Sequence, residues 1–283
     1  MQIGFSFFWQ KILGLDEPNH PEIWQKAMPD IDQTLSDLKS MGIESIELKL
    51  TRGMEQPLLF QAIAKLIGLG FRVTFHVPTR FQFPEPMDYQ LAIISTITNY
   101  MVQQFCTMPL WVIHPLNSKT APRQAIFDGT LNYLDQILAL PAARSAAFAL
   151  ENLRNRTDGG KIHVGDSFTE ILALFDKCDH QLGICWDFGH SIAMHQRGLE
   201  SQFPPIEFLK KVIHCHVHDC LNQQTHLPLG MGDVPIERNI ALLMEHNFQG
   251  IFNLELSPHK IDEPENFLHH LDQSVRRIRQ LIR

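Results

Sequence analysis

The five cysteines of this 283-residue chain (Cys106, Cys178, Cys185, Cys215 and Cys220) form no CxxC pair, so the usual redox and zinc-ribbon signatures are missing. No apolar run approaches the ~20 residues needed to cross a bilayer, and no secretory apolar core precedes the first strand-like run, Gln2 to Phe8. A reduced, cytoplasmic protein with no membrane partner is the expectation. Basic residues are few, 24 against 31 acidic ones, giving a net charge of -7 with no lysine- or arginine-rich run. A polyanion would find no broad basic face, so nucleic acid is not an expected partner. Also absent are a glycine-rich phosphate fingerprint after the first strand and any Gly/Ser/Pro linker that would mark a domain boundary.

What the chain does have is 44% hydrophobic and 19% charged residues, the balance of a globular protein with a sizeable core. Short apolar runs alternate with longer segments of helical period. The runs are Ile3–Phe8, Ser45–Leu50, Arg72–Val77, Leu110–His114, Ala146–Glu151, Leu182–Asp187, Val212–His218 and Ile251–Leu256. The helical segments begin with Ile31–Met41 and Leu58–Leu69 and end with Asn266–Ile282. Eight strands, each followed by a helix, predict a single (β/α)8 TIM barrel spanning residues 1–283. An open doubly wound sheet is the alternative, and the missing fingerprint counts against it.

Strands buried on both faces should read as nearly unbroken apolar runs. Here the last six end in metal-ligand types instead: His76 in TFHVP, His114 in WVIHP, Glu151 in FALEN, Asp187 in ICWDFGH, His216 in IHCHVHD and Glu255 in FNLELSP. Each falls about one βα unit after the last, so all six should meet at the C-terminal mouth, where barrel enzymes place their active sites. Three carboxylates gathered there would raise one another's pKa unless a cation intervened, and a divalent metal with histidine and carboxylate ligands is the expected neutraliser. His190, at i+3 from Asp187, could aim at the same ion from a turn. His226, in a loop closed by Pro228, Gly230 and Gly232, is either a ligand or an exposed loop residue. His214, His216 and His218 share one face of their strand. At most one or two of them can reach the ligand layer: His216 is the expected ligand because its H-V-H-D motif resembles a family pattern, with His214 a core-layer residue and His218 either a supporting partner or a substrate contact. Trp9, Phe81, Phe83, Trp186 and Phe188 are either core or an apolar wall around a bound substrate.

The ordered set of strand-end motifs resembles the xylose-isomerase-like TIM barrel superfamily, which includes sugar isomerases and epimerases, inosose dehydratases and the apurinic-site enzyme endonuclease IV. The resemblance runs from the first strand through Glu255. Its epimerase branch implies one metal on Glu151, Asp187, His216 and Glu255, with both glutamates serving as acid and base and His190 as a catalytic substrate contact. Its endonuclease branch implies that His76, His114 and Glu151 hold one ion, and Glu151, Asp187, His216 and Glu255 a second. A third would sit on His190, His226 and an aspartate two positions before His226. Gln224 stands at that position here, and a neutral amide is a poor zinc ligand. Glu47 in SIELKL resembles a segment of the sugar-active branch and is expected to contact substrate, its alternative being a structural carboxylate. Arg154, with Arg156 and Lys161, is expected to hold substrate phosphate or hydroxyls, or else to be an ordinary solvated loop.

These implications converge on a metal-dependent isomerase or epimerase, with dehydration as a variant. It would use one to three Mn, Zn or Mg ions and act on a sugar, sugar phosphate or cyclitol by proton transfer next to a carbonyl. The alternatives are a metal-dependent phosphodiesterase like endonuclease IV and a metal-binding barrel without turnover. The resemblance also permits a homodimer.

Overall fold

The computed structural model describes residues 1–16, 20–78, 82–155, 160–178 and 182–282; Phe81 and Arg156 lie outside the described residues. Eight parallel strands close into a barrel: β1 (Gln2–Phe8), β2 (Ser45–Lys49), β3 (Arg72–His76), β4 (Leu110–Ile113), β5 (Ala147–Glu151), β6 (Leu182–Asp187), β7 (Val212–Val217) and β8 (Ile251–Leu254). Every strand pairs with its neighbours in sequence, and β8 closes on β1 from Gln2↔Ile251 to Phe5↔Leu254. All eight expected strands form, but several stop earlier than their apolar runs. His114, His218 and Glu255 therefore sit just past the strand ends, in the segments that leave the barrel mouth.

Alternation along the strands separates two layers. Phe5, Phe7, Ile46, Leu48, Phe75, Trp111, Phe148 and Trp186 belong to the large core under the surrounding helices. A smaller cluster of Leu110, Val112, Ala149 and Cys185 occupies the other face of β4 to β6, inside the barrel. On the remaining strands that interior face is polar: Ser6, Glu47, Thr74, His214 and Asn253 are all buried. Local signals set the helices around this frame. Asp30 caps Ile31–Met41 by accepting the Gln33 N–H at 3.0 Å, Thr34, Leu35 and Leu38 turn inward, and Gly42 at φ 82° ends the helix.

Two features after the strands were not foreseen. The expected turn beyond Asp187 is an eight-residue helix, Phe188–His195. The loop bearing His226 is a hairpin, Asp219–Leu221 against Gln224–Leu227, whose tip residues Asn222 and Gln223 take left-handed φ values of 49° and 67°. Trp9, Trp186 and Phe188 are core residues, 4%, 0% and 0% exposed, so they form no wall around a ligand. Among the described residues no helix is long and apolar enough to cross a membrane.

Candidate metal centre

Strand ends β5, β6, β7 and β8 bring Glu151, Asp187, His216 and Glu255 together, with one donor atom from each lying within 4.8 Å of the others. His216 Nδ1 stands 3.3 Å from Glu151 Oε2, 3.2 Å from Glu255 Oε2 and 3.9 Å from Asp187 Oδ2. A second group, His76, His114 and Glu151, shares the Glu151 carboxylate, whose Oε2 is 3.3 Å from His76 Nε2 and 2.8 Å from His114 Nε2. His190, His218 and His226 form a third.

Asp187 is the joint of the arrangement. It ends β6 and caps the helix Phe188–His195, where its Oδ1 accepts the His190 N–H at 2.7 Å. The cap fixes His190, whose Nδ1 lies 3.2 Å from Asp187 Oδ2 and 3.3 Å from Glu151 Oε1. Asn152 grips the same joint from β5: its Oδ1 accepts the Asp187 N–H at 2.7 Å and its Nδ2 donates to the Asp187 carbonyl at 3.2 Å. Asn152 was not foreseen, although it follows Glu151 directly in FALEN.

Beneath the donor layer runs a buried chain of hydrogen bonds. Asn253 Nδ2 donates to Ser6 Oγ at 2.7 Å, and Ser6 Oγ donates to Glu47 Oε1 at 3.1 Å. Glu47 also meets His214 Nε2 at 3.0 Å and His216 Nε2 at 3.1 Å. Glu47 is 0% exposed and is not among the residues lining the cavity above the donors, an arrangement that favours the structural carboxylate given as its alternative, placed to orient His216. His218, expected as either a supporting partner or a substrate contact, is placed on the supporting side. It is 0% exposed, its Nε2 lies 3.0 Å from Asp187 Oδ1, and its Nδ1 accepts the His226 N–H at 3.0 Å, so it faces the joint rather than the open mouth. His214 is the core-layer residue that was expected.

The electrostatics revise one expectation. Burial pushes the Glu151 carboxyl up, but the His114 and His216 rings beside it outweigh burial and hold it well below the usual carboxylate range. Burial likewise opposes ionisation of Asp187, where His190 and His218 prevail, and of Glu255, where Lys49 and His216 prevail. Lys49 Nζ is 2.7 Å from Glu255 Oε1, another partner not foreseen. Glu151 still pushes Asp187 and Glu255 upward, but the interleaved histidines, with Lys49 at Glu255, outweigh that repulsion and keep the carboxylates charged. Burial opposes charge on His216 too, but the Cys185 sulfur and the Glu47, Glu151 and Glu255 carboxylates lift it well above ordinary imidazole.

The donor set fits a divalent ion. His216 Nδ1 is buried without a well-formed hydrogen bond, although three carboxylates surround it. With Nε2 directed at Glu47, a neutral ring presents its Nδ1 lone pair to the same point as those oxygens. Four converging O and N donors of this kind are a ligand set for Mn, Zn or Mg.

Above the donors lies a cavity of about 440 Å³ whose lining includes His76, His114, Glu151, His190, His226 and Glu255, with Lys49, Arg154 and Lys161 at its rim. It adjoins an outer cavity of about 1120 Å³, with which it shares Phe8, Lys49, Arg154, His226 and Glu255. Among the described residues, Phe8 and Trp24 bring phenyl and indole rings to the outer cavity, whereas Trp9, Phe83, Trp186 and Phe188 do not line it. Gln224 is exposed on the outer cavity wall.

Residues 35–280 match the family described as Xylose isomerase-like TIM barrel. The chain belongs to this family. An uncharacterized protein of Methanocaldococcus jannaschii is 25% identical to this xylose isomerase-like barrel over 200 residues, 69% of this chain and 70% of that protein. Two solved structures are similar in fold. D-psicose 3-epimerase from Clostridium cellulolyticum H10 has a TM-score of 0.68 at 12% identity, covering 100% of this chain and 99% of its own. The IOLI protein with a bound zinc atom has a TM-score of 0.65 at 12% identity, covering 97% and 96%. At such identities the likeness speaks for the barrel alone.

Proposed function

We propose that this barrel is a divalent-metal-dependent isomerase or epimerase of a sugar, sugar phosphate or cyclitol. The observation that carries the reading is the placement of Glu151 and Glu255, which enter from β5 and β8, line the inner cavity, and approach His216 Nδ1 at 3.3 and 3.2 Å. An ion held by Glu151, Asp187, His216 and Glu255 would supply Lewis acidity to a substrate carbonyl and acidify the neighbouring C–H. One glutamate takes that proton and the other returns one from the opposite side, which inverts the carbon or moves the carbonyl. Loss of a β-hydroxyl after the first transfer makes the reaction a dehydration. His190, fixed by its cap, holds a substrate oxygen. The D-psicose 3-epimerase of the same fold is consistent with this chemistry, and the zinc of the IOLI protein with a metal in such a mouth. Five free cysteines accord with a reducing, cytoplasmic setting.

A second reading, metal-assisted phosphodiester hydrolysis, draws support from the additional group of His76, His114 and Glu151, which a one-metal epimerase does not need. Three measurements separate the two. Solvent deuterium should enter ketoses or cyclitols incubated in heavy water under the first reading, whereas an abasic oligonucleotide should be cleaved under the second. Metal analysis should count one ion per chain for the epimerase and two or three for the hydrolase. Glu255→Gln should abolish turnover in either case, and an unchanged rate would remove Glu255 from the site.

A further inference from the structure

Resting on the isomerase or epimerase reading, we propose that the substrate is anionic. A phosphate or carboxylate at the far end of the sugar is held by Arg154, Arg197 and Lys260 while the carbonyl end reaches the metal centre.

The chain carries a net charge of -7, yet the outer cavity gathers Lys49, Arg154, Arg197 and Lys260 in its lining, with Glu255 the one carboxylate among the described lining residues. Glu255 is already matched by Lys49 at 2.7 Å. Among the described lining residues the wall beyond it is therefore net positive, against the sign of the whole molecule. Lys161 adds a further cation at the inner rim.

These cations are placed rather than scattered. Arg154 leaves β5 and donates from Nη1 to the Gln223 carbonyl at 2.6 Å, which ties it to the hairpin tip. Arg197, just beyond the helix Phe188–His195, donates to the Asn155 carbonyl. Lys260 ends the 3-10 turn Pro258–Lys260 after β8. All three are half-buried, and three separate segments thus direct partly desolvated charge into one space. Guanidinium and ammonium groups in such a setting favour an oxyanion over a neutral hydroxyl, because the attraction grows as water is excluded. The dimensions agree: the inner cavity of about 440 Å³ takes the reacting end, and the outer one of about 1120 Å³ leaves room for a charged terminus.

The test is calorimetric binding of fructose, fructose 6-phosphate and fructuronate to the metal-loaded protein. These compounds share a six-carbon ketose skeleton and differ at the last carbon. At least one anion is expected to bind about tenfold or more tightly than fructose, as one charge-assisted hydrogen bond provides, and which anion wins separates phosphate from carboxylate. Arg197→Gln and Lys260→Gln should each reduce that preference and leave fructose binding unchanged. Equal affinities, no binding of either anion at millimolar concentration, or a preference untouched by both substitutions would overturn the proposal. The last outcome would mean that the anion is held by the metal. Preferential anion binding without deuterium exchange would count against the isomerase reading and leave the anion site standing; exchange without anion preference would do the reverse.

Discussion

His216 Nε2 lies 3.1 Å from Glu47 Oε1 inside the barrel, and the opposite edge of the same ring points Nδ1 at three carboxylates. A buried carboxylate behind a histidine fixes both its tautomer and its direction. Glu47→Gln keeps the shape but removes the charge. Metal affinity should fall about 10–100-fold, as for other outer partners of ligand histidines, read by competition against a chelator. A variant that folds and binds metal as tightly as the parent would show that Glu47 does not orient His216.

Metal uptake should release protons. Burial lowers the pKa of His76, His190 and His216, but in each case the neighbouring acidic groups outweigh it, so without metal these rings remain protonated above the ordinary 6.5. A ring that binds an ion must first shed its proton. Affinity should therefore rise with pH from 6.5 upward, through the raised values, and then level off. Burial already keeps His114 and His226 neutral, so they add nothing to this slope. Titration in buffers of different ionisation enthalpy reads the proton count directly, and zero release at pH 7 would contradict the charge state described here.

Lys49 should set the acid limit of activity. Burial works against an ionised Glu255, and Lys49 is the largest of the three neighbours, with His216 and His226, that overcome it. Lys49→Met should raise the Glu255 pKa, so the carboxylate is lost at a higher pH on acidification. The acid limb of kcat/KM should move up by about one unit or more. An unmoved limb would mean that Glu255 is not the group titrating.

A methyl group at position 189 has no room. A Cβ on Gly189 would overlap the His218 ring, which packs against Asp187. Gly189→Ala should cost about 1–3 kcal/mol of stability and loosen metal binding together. Thermal melts with and without metal would report both effects, and a normal melt with normal affinity would refute the packing.

The strands were legible because an interior β-strand allows little besides apolar residues, so each polar strand end stood out. The same reasoning placed Glu151, Asp187, His216 and Glu255 at one mouth. It left Glu47 and His218 open between substrate contact and support, since alternation says that a side chain points inward but not at what depth, and depth separates a ligand from its support. Lys49 shows the same limit: two residues after Glu47, it shares the inward face and reaches Glu255. The helix after Asp187 was missed because its capping residue was read only as a donor. Arg197 and Lys260 carry no local motif; only the fold brings them beside Arg154.

Asp187 terminates a strand, starts a helix and offers an oxygen to the candidate metal centre, all from one residue. No spare length separates these tasks, so lengthening or shortening the chain there would shift His190 and the donor oxygen together. Variation that preserves the chemistry is thereby steered to the outer cavity wall, at positions such as Arg197 and Lys260, where a change of side chain can alter what the mouth admits without moving the atoms that react.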